Sequence, residues 1–171
     1  MTESEVDQTD WRHLLQVVEP DTVKHQTAML MIGGGSNSDA VPSSVNELLV
    51  RYALATSSVV AELSMVPNQP LVFRDEGKKR WEDALIAYTW DKFLTSGDSR
   101  WPARMAMTKS AVSAMDCLQS LLPIASEKKP SKFVVAGASK RGWTTWTTAS
   151  LDGRVSAKLP ILIDLLYVEL S

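Results

Sequence analysis

A predicted strand, 132–136, whose last four residues are apolar or small, leads straight into Gly137-Ala138-Ser139-Lys140-Arg141-Gly142, and a helical pattern follows. As a bare pattern G-x-S-x-x-G is weak and many loops match it, but its setting between a strand and a helix strengthens it. A strand has to reverse into a helix within a few residues, and glycine gives the backbone room to do so. The turn leaves the serine hydroxyl exposed, and the N–H groups after it open the next helix. A serine mounted in this way suits nucleophilic chemistry. The spacing departs from G-x-S-x-G. Gly137 stands two before the serine and Arg141 two after it. Gly142 comes one later, in the first helical turn, where a missing Cβ allows close packing on a sheet.

The rest of the chain alternates strand and helix. The run 27–32 reads as a buried strand ending at Gly33-Gly34-Gly35. Ser44-Val45-Asn46-Glu47 has capping-box spacing, with Ser44 as the expected N-cap and Glu47 as its partner. Leu48, Leu49, Tyr52 and Ala55 then recur at helical spacing. A valine-rich strand is expected over 58–65. After it, Val66-Pro67-Asn68-Gln69-Pro70 is a stiff loop, because proline restricts itself and its predecessor. Residues 75–80 are charged and read as solvated. Helices are expected over 82–94, ended by Gly97-Asp98, and over 102–122, where Val112, Met115, Leu118 and Leu122 form a core-facing stripe. A fourth strand is expected over 155–163. Four apolar strands separated by helices predict an α/β fold, a parallel sheet flanked by helices. Sites in such sheets form at the carboxyl ends of the strands. Gly34, Gly35, the proline loop, Ser139 and Asp164 all fall at such ends.

Composition narrows the function classes. The formal net charge is −2, so no basic face dominates and a nucleic-acid partner is not expected. No apolar run approaches the roughly 20 residues of a membrane span. The acidic start, Met1-Thr2-Glu3-Ser4-Glu5, lacks the features of a signal peptide. Cys117 is the single cysteine, so neither an intramolecular disulfide nor a cysteine metal cluster can form. In a helical run it reads as a buried, inert thiol. No metal or other cofactor is expected.

Around the serine, the N–H groups of Gly34, Gly35 and Lys140 are candidates for an oxyanion hole. Lys140 and Arg141 place two cations in the first turn of a helix, against its dipole, at about 0.3–1 kcal/mol each when exposed. Two readings account for them. Negative charge in the site offsets them, or their side chains reach solvent or pair with a carboxylate elsewhere. Trp143, Trp146 and Thr147 read as packing residues.

Gly137-Ala138-Ser139-Lys140-Arg141-Gly142-Trp143 resembles a motif of the PhoPQ-activated pathogenicity-related proteins. Other segments agree: Ile32-Gly33-Gly34-Gly35-Ser36-Asn37, Val59-Val60-Ala61-Glu62-Leu63, Val66-Pro67-Asn68-Gln69-Pro70, Glu82-Asp83-Ala84-Leu85-Ile86-Ala87-Tyr88-Thr89-Trp90, Met107-Thr108-Lys109-Ser110-Ala111 and Pro160-Ile161-Leu162-Ile163-Asp164. The resemblance implies a partial α/β-hydrolase-like domain over 11–164, between a polar extension, 1–10, and a divergent tail, 165–171. It implies a secreted or periplasmic serine hydrolase acting on an ester or peptide, with Ser139 as nucleophile. It also implies that the four strands lie in the hydrolase order 4-3-5-6. A weaker similarity is to glucuronoyl esterases, in which the cation directly after the serine helps to stabilise the oxyanion; Lys140 holds that place.

In the hydrolase order a triad acid and then a histidine follow the serine. His13 and His25, the two histidines, both precede Ser139. Each reads as structural or surface, so the base is expected to be missing here. Asp164 is a possible triad acid, and a Ser-Lys arrangement would make Lys140 the base. The alternatives to a hydrolase are a non-catalytic secreted signalling protein, since the family includes a repressor of cell proliferation, and an inactive gene fragment. The outer strands are expected to lack neighbours, and exposed sheet edges invite self-association.

Overall fold

The computed structural model describes residues 1–120 and 129–163. Its main sheet has five strands in the order β1-β3-β2-β6-β7. They are β1 (Leu14–Val18), β2 (Thr27–Ile32), β3 (Val60–Ser64), β6 (Lys132–Ala138) and β7 (Val155–Ile161). A two-stranded ribbon, β4 (Leu71–Val72) with β5 (Lys79–Arg80), stands apart. Four helices are described: α1 (Glu47–Thr56), α2 (Glu82–Ser96), α3 (Ala103–Ser120) and α4 (Lys140–Leu151).

The four expected strands are parallel and lie in the expected side-by-side order, β3-β2-β6-β7. The sequence reading missed β1. It runs antiparallel to β3, with Leu14 opposite Ser64 and Val18 opposite Val60. One flank of the parallel strands is therefore covered, and the expectation of two bare edges is corrected on that side. On the other flank β7 has no neighbour among the described residues, and Leu159 and Ile161 are exposed there.

The chain leaves β2 through α1 to reach β3 on one side, and leaves β3 through α2 and α3 to reach β6 on the other. Right-handed crossovers in opposite directions put the helices on opposite faces. Leu49 and Ala53 of α1 pack on Val60 with Val18, Met29 and Met31. The larger core joins Leu30, Ile32, Leu63, Phe133 and Val135 to Leu85 of α2 and to Met107, Met115 and Leu118 of α3. α4 lies on β6 and β7 and against α3.

Three local readings are corrected. Asn46, not Ser44, caps α1: its side chain accepts from the Leu48 N–H at 3.0 Å, and Glu47 is already helical. Asparagine is an equally good cap, and it stands two residues further along, directly before the first helical residue. The segment 75–80 is not simply solvated. Asp75 accepts from Tyr88 and Lys92, and Glu76 holds Arg80. Cys117 is half-buried and lines a cleft. Leu122 of the expected stripe lies outside the described residues. Gly97 ends α2 as read, at φ 72°, donating to the Phe93 carbonyl at 2.8 Å.

Candidate functional site

The order of the sheet creates a switch point between β2 and β6, where the connections diverge to opposite faces and a crevice opens beyond the carboxyl ends. Ile32, the last residue of β2, pairs with Gly137 of β6. The two loops that follow are therefore neighbours: 33–35 after β2 and the serine turn after β6.

Ser139 joins β6 to α4 with φ 53° and ψ −120°. For a residue with a Cβ this is a sparsely populated conformation, worth about 1–3 kcal/mol of strain. Two glycines and two hydrogen bonds hold it. A Cβ on Gly137 would stand 2.6 Å from the Arg141 carbonyl oxygen, so the chain closes back on itself only with glycine there. A Cβ on Gly142 would meet Ile163 Cγ2 at 2.8 Å and the Gly137 carbonyl oxygen at 3.1 Å. The Ser139 N–H donates to Ile161 O at 2.8 Å, and its carbonyl accepts from the Trp143 N–H at 3.2 Å. The side chain is exposed and caps no helical N–H.

Lys140 and Arg141 follow the second of the two readings. Arg141 makes a bidentate pair with Glu82, at 2.9 and 2.6 Å, and donates through Nε to Val66 O. The Lys140 ammonium lies 3.2 Å from Glu82 and 3.0 Å from Asp83. Glu82 in turn accepts from Gln69 Nε2 at 2.6 Å and donates its own N–H to Gln69 Oε1 at 2.8 Å. Gln69 Nε2 also reaches Gly35 O at 3.0 Å. One carboxylate thus ties together the serine turn, the loop after β3 and the loop after β2. Partial burial pushes the Glu82 carboxyl up, but Arg141, Gln69 and Lys140 outweigh it and hold it at about 2.

Gly34 lies directly beneath the Arg141 guanidinium, where a Cβ would stand 2.8 Å from Nη2. Met65 N–H donates to Gly34 O at 2.7 Å, which fixes the peptide. The Gly33 N–H is taken by Leu63 O at 2.8 Å. The N–H groups of Gly34 and Gly35 meet no acceptor among the described residues. Asp164 lies outside the described residues.

Sequence reasoning missed Glu82, Gln69 and Arg104. Arg104, on α3, is 5% exposed and donates to Lys140 O at 2.9 Å. Its guanidinium carbon sits 3.6 Å from the centre of the Trp143 ring, and its Nε has no partner among the described residues. Burial pulls it down to about 10. A buried cation beside a conspicuous turn has no local signature, because its partner is 36 residues away. Trp143 is a packing residue, under Arg104. Trp146, expected to pack, is 42% exposed; the buried face of α4 is instead Gly142, Thr144, Thr145 and Thr148.

Neither histidine stands at the serine turn. His25 is exposed. His13 precedes β1, which β3 and β2 separate from β6. Its ring contacts Ser110 Oγ at 2.8 Å and Ser64 O at 3.2 Å. Among the described residues no group of His, Cys, Asp and Glu could hold a metal ion, and no helix is long and apolar enough to cross a membrane.

A family model described as PhoPQ-activated pathogenicity-related protein matches residues 1–171. The autocrine proliferation repressor protein A of Dictyostelium discoideum is 39% identical over 158 residues, which are 91% of this chain and 32% of that protein. The chain thus spans about a third of the length of the curated relative it matches.

Proposed function

The chain belongs to the PhoPQ-activated pathogenicity-related protein family, and from that premise we propose that it carries the nucleophile of an α/β-hydrolase-like serine hydrolase. The observation that supports this most is the backbone of Ser139: φ 53°, ψ −120°, exposed, at a strand-to-helix junction beside a glycine loop. In the proposed reaction Ser139 Oγ attacks the carbonyl carbon of an ester or amide. A base takes its proton, and the C–O or C–N bond to the leaving group then breaks. The Lys140 N–H lies at the start of α4, where developing negative charge is favoured. The N–H groups of Gly34 and Gly35 are the second source of donors. The cationic part of Lys140 is bound to Glu82 and Asp83, so its side chain serves the turn and the N–H serves the oxyanion.

The base is absent from the neighbourhood of Ser139 among the described residues, which defines the experiment. A fluorophosphonate probe is applied to the chain with and without added imidazole as an external base. The expected result is labelling at Ser139 that rises with imidazole and vanishes in Ser139→Ala. A folded chain that stays unlabelled throughout rejects the reading.

A second reading is favoured by the name of the relative, a proliferation repressor. The fold is then kept for binding alone, and Ser139→Ala leaves the binding activity intact.

A further inference from the structure

A cleft of the molecule lies away from Ser139. It measures about 640 Å³ and lies between β1 and α3, within the range of small-molecule sites. Trp11, Leu15, Leu63, Met105, Ala106 and Ala114 supply much of its apolar lining. The proposed hydrolase chemistry uses none of these residues.

Polar groups converge on this cleft. His13 and Ser110 both line it and are hydrogen-bonded to one another at 2.8 Å. The Trp11 ring meets the His13 ring edge-on at 6.2 Å and 69°. Burial lowers the affinity of His13 for a proton, against a smaller opposing effect of the Ser64 and Met65 carbonyls. The ring faces Ser64 O with Nδ1 at 3.2 Å and the Ser110 hydroxyl with Nε2 at 2.8 Å, and that hydroxyl also lies 2.9 Å from Ala106 O. With one proton and two lone pairs, Ser110 Oγ keeps at least one lone pair to accept from a ligand. At the rim, Lys109 and Ser113 lie four apart on α3, hence on one side of the helix, and both line the cleft. Lys109 pairs with no carboxylate among the described residues, while Arg100, the neighbouring cation, is held by Asp98 at 2.5 Å.

We propose that the cleft between β1 and α3 is a binding site for a small apolar monocarboxylate. Its hydrocarbon body covers Leu15, Leu63 and Ala114, and its carboxylate meets the Lys109 ammonium and the Ser113 hydroxyl. The site is independent of Ser139.

The test uses anilinonaphthalenesulfonate, an apolar anion, as fluorescent reporter, with decanoate and decanol as competitors of equal body. Saturable binding at one site is expected. Decanoate should displace the reporter at about tenfold lower concentration than decanol, the ratio that one charged contact of about 1.4 kcal/mol gives. Lys109→Met should abolish that difference and leave decanol unchanged. Ala106→Phe, which fills the cleft, should remove reporter binding while the near-ultraviolet dichroism of the folded chain persists. Equal displacement by both competitors overturns the carboxylate assignment. Undiminished binding in a folded Ala106→Phe chain overturns the location, and absence of saturable binding overturns the site. Ser139→Ala should change nothing in this assay, so the outcome is separable from the hydrolase reading.

Discussion

Ser139 is held in an unfavourable backbone conformation by what its neighbours lack. Gly137 is the sharpest case, since a Cβ would stand 2.6 Å from a backbone oxygen, which cannot swing away. Gly137→Ala should destabilise the chain by about 1–3 kcal/mol, read from the midpoint of urea unfolding. Glu82 gives a pH-dependent prediction. Its folded value is about 2, below the usual 4.5, so its stabilisation is complete above pH 4.5 and is lost as pH falls towards 2. Glu82→Gln should flatten that acid limb. It should cost about 1–2 kcal/mol at neutral pH, less than a fully buried pair because the side chain is 36% exposed. How legible these residues were follows from how far away their partners lie. Serine between two glycines announces itself, because the constraint is local. Glu82 meets Arg141 across 59 residues and Gln69 across 13, and its helix-start position reads as ordinary first-turn acidity.

The elements that carry the turn are held by different means. α4 faces the sheet with threonines, and Thr144, Thr145 and Thr148 bond back to carbonyls of their own helix at 2.7–3.1 Å. Such a face buries little hydrocarbon, so α4 relies on close approach at Gly142 and on Arg104. Arg104→Met should leave stability within about 1 kcal/mol, since the guanidinium is already buried with an unpaired Nε. It should nonetheless slow imidazole-assisted labelling of Ser139 about tenfold, because one charge-assisted bond to the turn, worth about 1.5 kcal/mol, is gone. β2, β3 and β6 were readable as continuous apolar runs, as strands buried on both faces are. β1 was not: its five residues are only half-buried, and what makes them a strand is the antiparallel partner β3, more than 40 residues on. β7 carries a different liability. Its free side exposes Leu159 and Ile161 at 51% and 40%. Ile161→Lys should reduce self-association in sedimentation velocity if that edge is where copies meet.

The molecule as a whole is one large core with a thinner second layer under α1. Amide exchange should rank accordingly, slowest in β2, β3 and β6 and fastest in α4 and β7. The switch point between β2 and β6 was legible from four parallel strands and the place of the serine. What was not legible is how the loops around it are tied, because Arg141, Glu82 and Gln69 meet only once the sheet is assembled. The pairing of Ile32 with Gly137 has a consequence of another kind. Each residue of strand advances about 3.3 Å, and each step of register turns side chains to the opposite face. The sheet therefore works as a measuring rod. A single residue inserted into β2 would shift Gly34 by one graduation, out from under Arg141, and would turn Leu30 away from the core. Spacing between the two loops is thus recorded in the length of a strand that does not itself carry the serine.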